Sequence, residues 1–410
     1  MTHPAASSPP KVAIVYDRAN IQYGGAEYLL KVMAKAFPSA PLLTSVSHRQ
    51  ATWQKDFARV YTTFLQKIPF AQKHHQWFLP FMPLAFESLN LDPYDIVISF
   101  SSAEAKGVLT KPHQLHIAYL FAPPRYLYHL DENYQQTSTW RKLPIIKQMV
   151  KLILAYLKWW DLSASLRPDI LVTLSLQTAQ KIEQVYGRET QAIVYPPVQK
   201  YQTDPQLFRQ LPVLSEFYLC VARLVEYKRL DLAIRATLKL KRQLIIVGTG
   251  LDLHRLQRMS GDQCWTRPSD MNFQTAVAYL HQHQPDICFM GNLQTQELAW
   301  LYSKARALLS PGIDDFGLVP LEAAQFGLSS IIHAQSGAAE ILTSDLATHL
   351  KKQDIEAMLK SICRHDNYQV SPDKLMSLAQ QFSSEVFIQR MTKLVYDEWR
   401  LHNKRMNYDK

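Results

Sequence analysis

Short runs of β-branched and other apolar residues alternate with segments of helical periodicity along almost the whole chain of 410 residues. Because these runs are apolar on both faces, they are typical of strands in a parallel sheet that helices cover on each side. In the first half, Gly24–Phe37 is predicted to be a helix. The predicted strands there are Lys11–Tyr16, Tyr94–Phe100, Leu115–Phe121 and Asp169–Ser175. This pattern predicts an α/β fold.

The alternation pauses at IVYPPVQKYQTDPQ, where two adjacent prolines break any helix and favour extended backbone. We therefore place a domain boundary near Val198. Strands are predicted again at Phe217–Ala222, Arg242–Gly248, Asp286–Gly291, Arg306–Pro311 and Ser329–Ala334. Two such arrays predict two doubly wound, Rossmann-like domains, residues 1–198 and 199–383, facing one another across a cleft. The last helix, within residues 384–410, is predicted to cross back onto the first domain.

The charge of the chain is distributed unevenly. The formal net charge is +10, and residues 1–200 hold 21 Lys and Arg against 13 Asp and Glu. The first half is therefore the part expected to meet an anionic partner, either a membrane face, a phosphate-bearing substrate or nucleic acid. A basic surface that only keeps the protein soluble is the alternative. No motif supports nucleic-acid binding, so that partner is not expected.

Cysteine usage and hydropathy bear on the compartment. The four cysteines, Cys220, Cys264, Cys288 and Cys363, form no CxxC pair, which argues against a disulfide scaffold or a zinc site. The first residues lack the apolar segment of a signal peptide, and no run approaches the roughly 18 apolar residues that span a bilayer. We therefore expect a cytoplasmic protein that touches a membrane at most at its inner face.

The stretch DDFGLVPLEAAQFG, residues 314–327, follows a predicted strand and begins a helix with Pro320 in its first turn. A helix start at the carboxyl end of a parallel strand favours phosphate, and Gly317 permits close approach. Carboxylates would repel a phosphate, so Asp314 and Glu322 are expected to accept hydrogen bonds from hydroxyls beside it. The alternative is that these acids only complement the helix dipole.

Two further loops complete this predicted site. Arg223 and Lys228 lie in a loop between a strand and a helix, where two cations would clamp a diphosphate. Gly248 and Gly250 follow the next strand, but the dinucleotide fingerprint requires a glycine where Leu253 stands, so NAD binding is not supported. The Gly250 loop is either a tight turn or a cover over a nucleobase. The sequence has no Asp-x-Asp pair, which argues against a metal-dependent nucleotide-sugar site.

In this order, GGAE, VARLVEYK, VGTG and DDFGLVPLEAA resemble the retaining GT-B glycosyltransferases of family 4, whose signature is Glu-x7-Glu. FLPFMPLAFESLNL, YDIVISFSSAEAKGVLT, HIAYLFAPPRYLY and VYGRETQAIVYPPV resemble the bacterial mannosyltransferases that build O-antigen and exopolysaccharide chains. The resemblance covers about residues 11–400. It implies transfer of a sugar from a nucleotide-sugar donor with retention, on one face of the sugar and without a covalent enzyme intermediate.

The resemblance also implies roles for individual residues. Arg223 and Lys228 match the pair that neutralises the donor diphosphate, and Asp314 matches the acid that holds donor-sugar hydroxyls. Glu322 matches the acid that binds the nucleotide ribose. The amides of Gly317 and Leu318 match those that reach the phosphate. Gly25 matches the glycine that faces diphosphate and acceptor.

Four positions depart from the family pattern. Asp314 replaces the usual glutamate, Phe121 a histidine that contacts the donor sugar, Leu174 an asparagine and Phe100 a serine. A phenylalanine donates no hydrogen bond, so Phe121 either packs on an apolar sugar edge, which favours a 6-deoxyhexose or pentose, or only fills space. The alternative function is that of a catalytically lapsed homologue that binds glycan or nucleotide sugar or supports a partner.

We thus expect a metal-independent hexosyltransferase that moves mannose or a related hexose or deoxyhexose to a growing glycan or lipid-linked glycan. A GDP-sugar is the expected co-substrate, and no cofactor is expected. Within Leu143–Leu162, Lys147, Lys151 and Lys158 share one stripe of a predicted helix while aromatic and aliphatic residues cover the rest. This pattern predicts a helix lying in an anionic membrane interface; a buried domain helix is the alternative.

Overall fold

The computed structural model describes residues 9–20, 24–128, 144–201, 208–367 and 370–408. The chain divides into two compact units, the first formed by Met1–Pro197 with Ser384–Lys410 and the second by Val198–Ser383.

The first unit is built on a seven-stranded sheet in the order β3-β2-β1-β4-β5-β6-β7, in which every pairing is parallel. Its central strands are buried along their whole length, which explains their apolar composition on both faces. The strands are β1 Val12–Tyr16, β2 Leu42–Thr44, β3 Val60–Thr62, β4 Ile96–Ser101, β5 Leu115–Leu120, β6 Ile170–Thr173 and β7 Ala192–Ile193.

Helices pack on this sheet, and the last helix of the chain belongs to the same unit. The helices are α1 Gly25–Ala36, α2 Met82–Glu87, α3 Arg125–Tyr128, α4 Pro144–Ala164, α5 Leu176–Tyr186 and, from the end of the chain, α13 Ser384–Tyr408. The ring of Phe387 on α13 packs edge-on against Tyr119 of β5 at a centroid distance of 6.3 Å. The Ser384 hydroxyl lies 2.8 Å from the Tyr28 hydroxyl on α1. These contacts tie the last helix to the first unit.

The second unit has a seven-stranded parallel sheet in the order β10-β11-β9-β8-β12-β13-β14. Its strands are β8 Phe217–Val221, β9 Gln243–Val247, β10 Cys264–Thr266, β11 Ile287–Gly291, β12 Ala307–Ser310, β13 Ser330–His333 and β14 Ala347–Leu350. Its helices are α6 Leu230–Lys239, α7 Leu253–Ser260, α8 Phe273–His283, α9 Thr295–Lys304, α10 Leu318–Ala324, α11 Ile355–Asp366 and α12 Pro372–Gln380. Two apolar clusters, one on each face of the sheet, form the core.

The winding of the second sheet reverses beside β8. From β8 the chain builds one side of the sheet through β9, β11 and β10, and then returns to place β12 on the other side of β8. In open α/β sheets, the crevice at the carboxyl ends of the two strands at such a reversal is where ligands bind. A ligand site in this unit is therefore expected at the loops after β8 and β12.

The predicted strands agree with the observed ones to within one or two residues at each end. The predicted fold of two doubly wound α/β domains is confirmed. Sequence reasoning missed five short strands, β2, β3, β7, β10 and β14, which lie at or next to the sheet edges. Two to four residues are too few to show a period, so these strands exist because a longer neighbour supplies their hydrogen bonds.

Candidate functional site

The loops after β8 and β12 lie against each other at the carboxyl edge of the second sheet. A Cβ atom at Gly312, in the β12 loop, would come within 2.9 Å of Lys228 Cα in the β8 loop. The absence of a side chain at Gly312 therefore allows the two loops to touch. This contact brings the predicted cations and the predicted DDFG segment to the same edge of the sheet.

An ion pair joins the two loops. Lys228 Nζ donates a hydrogen bond of 2.6 Å to Asp314 Oδ1, and the side chains are 19% and 13% exposed respectively. Lys228 ends a short 310 turn, Glu226–Lys228, and Nζ also lies 5.5 Å from the centre of the Tyr227 ring. The lysine predicted to meet a phosphate and the acid predicted to meet a sugar are thus each other's partners in the ligand-free chain.

Arg223 has a different environment. It begins the same loop, it is exposed, and within the described ranges no hydrogen bond or ion pair involves its side chain. The neighbouring Arg229 is engaged instead, because its guanidinium donates to both carboxylate oxygens of Asp231. Arg223 is therefore available to an anion without first breaking an intramolecular bond.

Gly317 and Leu318 mark the start of α10. Gly317 has φ 90° and ψ 66°, a left-handed conformation that favours glycine. A Cβ atom there would lie 2.9 Å from Ala338 Cβ, in the turn after β13. That turn also supports the loop, because the Gly337 amide donates to the carbonyl of Asp314 at 2.9 Å. The backbone of the DDFG segment is thus held in place by a third loop.

Glu322 lies on α10, and its partners are tyrosines. The Tyr302 hydroxyl donates to Glu322 Oε2 at 3.1 Å, and Tyr201 also donates to this carboxylate. Burial raises the pKa of Glu322 above its ordinary value, while the two hydroxyl donors act in the opposite direction. Tyr201 packs edge-on against Tyr302 at 5.9 Å, so the aromatic rings fix the carboxylate's position.

Gly250 has a structural reason to be glycine. A Cβ atom there would lie 2.2 Å from the carbonyl oxygen of Leu224, in the β8 loop. The Leu224 amide in turn donates to the Thr249 carbonyl at 2.9 Å. The loop after β9 therefore packs tightly against the loop that carries Arg223. This close packing is a structural reason for glycine at position 250. The role of Gly250 beside a nucleobase stays a prediction.

The remaining two predicted residues belong to the first unit. Gly25 is the first residue of α1, directly after its extended N-cap Gly24. Phe121 directly follows β5 and is partly exposed. Its ring packs against Tyr119 at 5.6 Å and Phe100 at 6.4 Å. Phe121 thus fills space within an aromatic cluster while one part of the ring reaches the surface.

Sequence reasoning missed a polar cluster at the carboxyl edge of the first sheet. Asp17, just after β1, accepts hydrogen bonds from the amides of Ser102 and Ala105, both at 2.7 Å. Arg18 pairs with the buried Glu104 at 3.0 Å, and the Tyr126 hydroxyl donates to Glu104 at 2.8 Å. Their position directly after strands β1 and β4 was the available signal. In the second unit, Tyr201 and Tyr302 were missed because nothing local links them to Glu322.

The described part of the chain was also compared with the requirements of metal sites, disulfides and membrane-spanning helices. It contains no group of three or more His, Cys, Asp or Glu side chains placed to hold a metal ion. Its four cysteines are free thiols, and burial raises the pKa of Cys220 and Cys288. No described helix combines the length and hydropathy needed to cross a membrane.

Comparison with known proteins bears directly on this site. Residues 208–365, which include both loops, match the family model described as glycosyl transferases group 1. The matched range lies within the second unit. Seven of the nine predicted site residues fall inside the matched range, whereas Gly25 and Phe121 lie outside it. Among curated proteins, none matches the sequence significantly.

Solved structures resemble the whole chain. HepE of Anabaena in complex with UDP has a TM-score of 0.62 at 15% identity, covering 94% of this chain and 100% of that one. The lipopolysaccharide outer core galactosyltransferase WaaB has a TM-score of 0.57 at 17% identity, covering 95% and 99%. WaaG, a glycosyltransferase involved in lipopolysaccharide biosynthesis, has 0.56 at 14%, covering 95% and 99%. Identities this low show a shared fold, which is that of GT-B glycosyltransferases.

The group 1 domain and the fold together support a GT-B glycosyltransferase. Assignment to family 4, retention, mannose transfer, metal independence and the roles of individual residues stay predictions.

Proposed function

We propose that the chain is a retaining glycosyltransferase of family 4, which moves a sugar from a GDP-sugar to a growing glycan or lipid-linked glycan in the cytoplasm. The observation that carries this proposal is the pairing of two loops at the reversal point of the second sheet. There, an exposed Arg223 without a described partner lies in the same loop as the Lys228–Asp314 ion pair. The group 1 glycosyltransferase match covers both loops.

The donor diphosphate binds at Arg223 and Lys228. Both cations lie in the β8 loop, so their charge is near the diphosphate before the glycosidic bond breaks and stabilises the departing nucleoside diphosphate. Lysine has three donors, so Lys228 holds Asp314 and a phosphate oxygen together. Asp314 then has a second carboxylate oxygen with which to accept hydrogen bonds from the donor sugar. Glu322 accepts from the ribose hydroxyls.

Transfer proceeds on one face of the sugar. The bond between the anomeric carbon and the phosphate oxygen breaks, and the acceptor oxygen bonds to that carbon from the same side. The departing phosphate oxygen lies on this side and takes the acceptor's proton, so the step balances without an enzyme nucleophile. No metal is required, because Arg223 and Lys228 supply the positive charge that a metal ion supplies elsewhere.

The proposal also specifies the nucleotide base and the sugar of the donor. HepE was solved with UDP and with UDP-glucose, so UDP-sugars are the donors against which a GDP-sugar must be compared. The aromatic cluster of Phe121 offers an apolar ring, which favours a 6-deoxyhexose or a pentose over mannose as the donor sugar. A panel of GDP-mannose, GDP-fucose, dTDP-rhamnose, UDP-xylose and UDP-glucose tests both choices.

A thermal-shift screen of these nucleotide sugars, followed by a hydrolysis assay on each hit, tests the function. We expect stabilisation by GDP and slow hydrolysis of its sugar conjugates. Glu322→Gln should weaken GDP binding about tenfold and leave inhibition by inorganic pyrophosphate unchanged, because pyrophosphate has no ribose. The exposed Glu356→Gln is the matched control. Absence of binding by every nucleotide would contradict the proposal.

One observation favours a second candidate, the catalytically lapsed homologue that binds nucleotide sugar or glycan or supports a partner. Phe121 packs into its own aromatic cluster and has no polar atom to offer a donor sugar. Nucleotide-sugar binding without turnover, in the presence of glycan acceptors, is the outcome that selects this candidate.

A further inference from the structure

The exposed large apolar side chains of the protein are concentrated in two segments of the first unit. Of 19 such side chains in the described part of the chain, twelve lie within residues 61–84 and 149–166. Single exposed apolar residues are ordinary, but a contiguous group marks a surface that something covers. The two segments therefore require an explanation that the fold alone does not give.

Helix α4 contributes one of these segments and is apolar on both sides. Its inner side is buried at Leu157, Trp160 and Ala164, which are spaced three and four residues apart. Met149, Leu152, Tyr156 and Trp159 recur at the same spacing on the outer side and are exposed, Trp159 by 67%. The sequence left open whether this helix is buried. The structure shows that one side is buried and that the other, equally apolar, side is not.

The second segment surrounds the short turn His75–Phe81 and α2. Met82 and Phe86 of α2 are buried in the core, but Leu84 between them is exposed. Phe70 and Trp77 are exposed as well, and 66% of Trp77 is accessible to solvent. Aromatic side chains that stand out from a folded surface in this way are typical of proteins whose partner is apolar.

The two segments adjoin at Glu87, the last residue of α2. Its Oε1 accepts hydrogen bonds from Trp160 Nε1 of α4 at 2.7 Å and from Arg167 at 2.6 Å. Leu84 lies three positions before Glu87 and therefore on the same side of α2. Helices α2 and α4 are thus neighbours, and we call the exposed apolar residues of 61–84 and 149–166 together the apolar face.

The exposed charges of the apolar face are positive. Residues 61–84 and 149–166 contain Lys67, Lys73, Lys151 and Lys158, all exposed, whereas their one acid, Asp161, is buried and paired with Lys106. Lys151 and Lys158 are exposed on α4, beside the outer apolar stripe. An apolar helix face bordered by lysines is the arrangement with which amphipathic helices lie on anionic bilayers. Basic residues near such a bilayer also gain from its negative surface potential.

We propose that the apolar face is a peripheral docking surface for an anionic lipid bilayer, with its aromatic and aliphatic side chains in the interfacial layer. A second copy of the chain is the competing occupant. In a two-fold dimer the same patch meets itself, so the lysines of both copies would face each other and repel. The apolar face shares no residue with the proposed donor site, so this proposal goes beyond the proposed function.

Sedimentation of the full-length chain with vesicles tests the proposal. Vesicles of phosphatidylcholine alone are compared with vesicles in which phosphatidylglycerol replaces part of it, at low and high salt. We expect binding to the anionic vesicles, weakened by salt. Trp77→Ser with Phe81→Ser, Leu152→Ser with Trp159→Ser, and Lys151→Glu with Lys158→Glu should each weaken binding about tenfold or more.

Matched controls lie on the second unit. Val213→Ser with Leu251→Ser removes apolar groups that are even more exposed, and Lys239→Glu with Lys304→Glu reverses two exposed charges; both double variants should bind vesicles like the native chain. The lysine variants change only exposed side chains and are expected to fold. They therefore still test binding to anionic vesicles if an apolar variant unfolds. The assay contains no nucleotide, so its result is independent of the donor site.

Three results would overturn the proposal. The native chain fails to sediment with anionic vesicles, or the three paired variants bind as well as their controls. The third is a native dimer, seen by analytical ultracentrifugation, that the apolar variants dissociate; a second copy would then cover the apolar face.

Discussion

Lys228 Nζ lies 2.6 Å from Asp314 Oδ1, in an ion pair that joins the loops after β8 and β12. Both side chains are mostly shielded from solvent, so neither charge is well hydrated when the other is removed. The pair therefore has two consequences. It sets the geometry of the two loops before any ligand arrives. It also means that Arg223, which forms no described ion pair, is the cation of that loop most available to an anion.

A double-mutant cycle on Lys228→Met and Asp314→Asn should show coupling between the two residues. Each single change leaves a shielded partner unpaired, so the double variant should cost less in unfolding free energy than the sum of the singles, by about 0.5 to 3 kcal/mol. Urea unfolding measures this. The exposed pair Lys360–Glu356, also at 2.6 Å, is the control and should show about 0.5 kcal/mol or less. Additive effects at Lys228 and Asp314 would contradict the prediction.

Arg223→Ala should weaken nucleotide binding without lowering stability. A charged hydrogen bond contributes about 1.5 to 3 kcal/mol, so the dissociation constant for GDP should rise roughly 10- to 150-fold. Stability should be unchanged because no described residue pairs with Arg223. Titration calorimetry and thermal unfolding measure the two quantities. Arg235→Ala, an exposed arginine on α6, is the control, and equal affinities for both variants would exclude a phosphate role for Arg223.

Gly317→Ala should destabilise the second unit by about 1 to 3 kcal/mol. The left-handed backbone disfavours a side chain, and the new Cβ would approach Ala338 Cβ to 2.9 Å. Gly187→Ala is the matched control, because that glycine is also left-handed but has nothing within 4 Å, so only the backbone cost of about 1 kcal/mol applies. Denaturant unfolding compares them. Equal losses of unfolding free energy in the two variants would mean that the contact with the β13 turn contributes no further destabilisation.

Acid should destabilise the second unit through His365. Burial, followed by the nearby Arg306, lowers the pKa of His365 to about 4, and its ring nitrogens are bonded to Ser329 and Thr348. The unfolded chain takes up a proton near pH 6.5 but the folded one does not, so stability falls from pH 6.5 down to about 4.

Between pH 7 and pH 5 this histidine should account for a loss of about 2 kcal/mol. Guanidinium unfolding at both values measures it. His365→Gln should reduce the pH dependence by that amount, whereas His281→Gln, at an exposed histidine, should leave it unchanged. A pH dependence that is the same in both variants would show that His365 is not the group responsible.

Sequence reasoning located the central strands, the main helices and the loops of the candidate site because each leaves a local signal. Runs apolar on both faces mark β1, β4, β8 and β9, and Pro320 after Gly317 marks a helix start. It missed the short edge strands, whose hydrogen bonds come from neighbours remote in sequence. It also missed Tyr302 as the partner of Glu322, since the two residues lie on different helices.

The sequence by itself determined that this chain forms two wound α/β arrays and that its acidic and basic loops follow strands, because periodicity and turn chemistry act over a few residues. Only the tertiary structure decided which charges meet. Lys228 reaches Asp314 across 86 positions and leaves Arg223 exposed. It also decided that α4 buries one apolar side and exposes the other. Pairing and burial depend on distances between remote segments, and a local pattern contains no information about those distances.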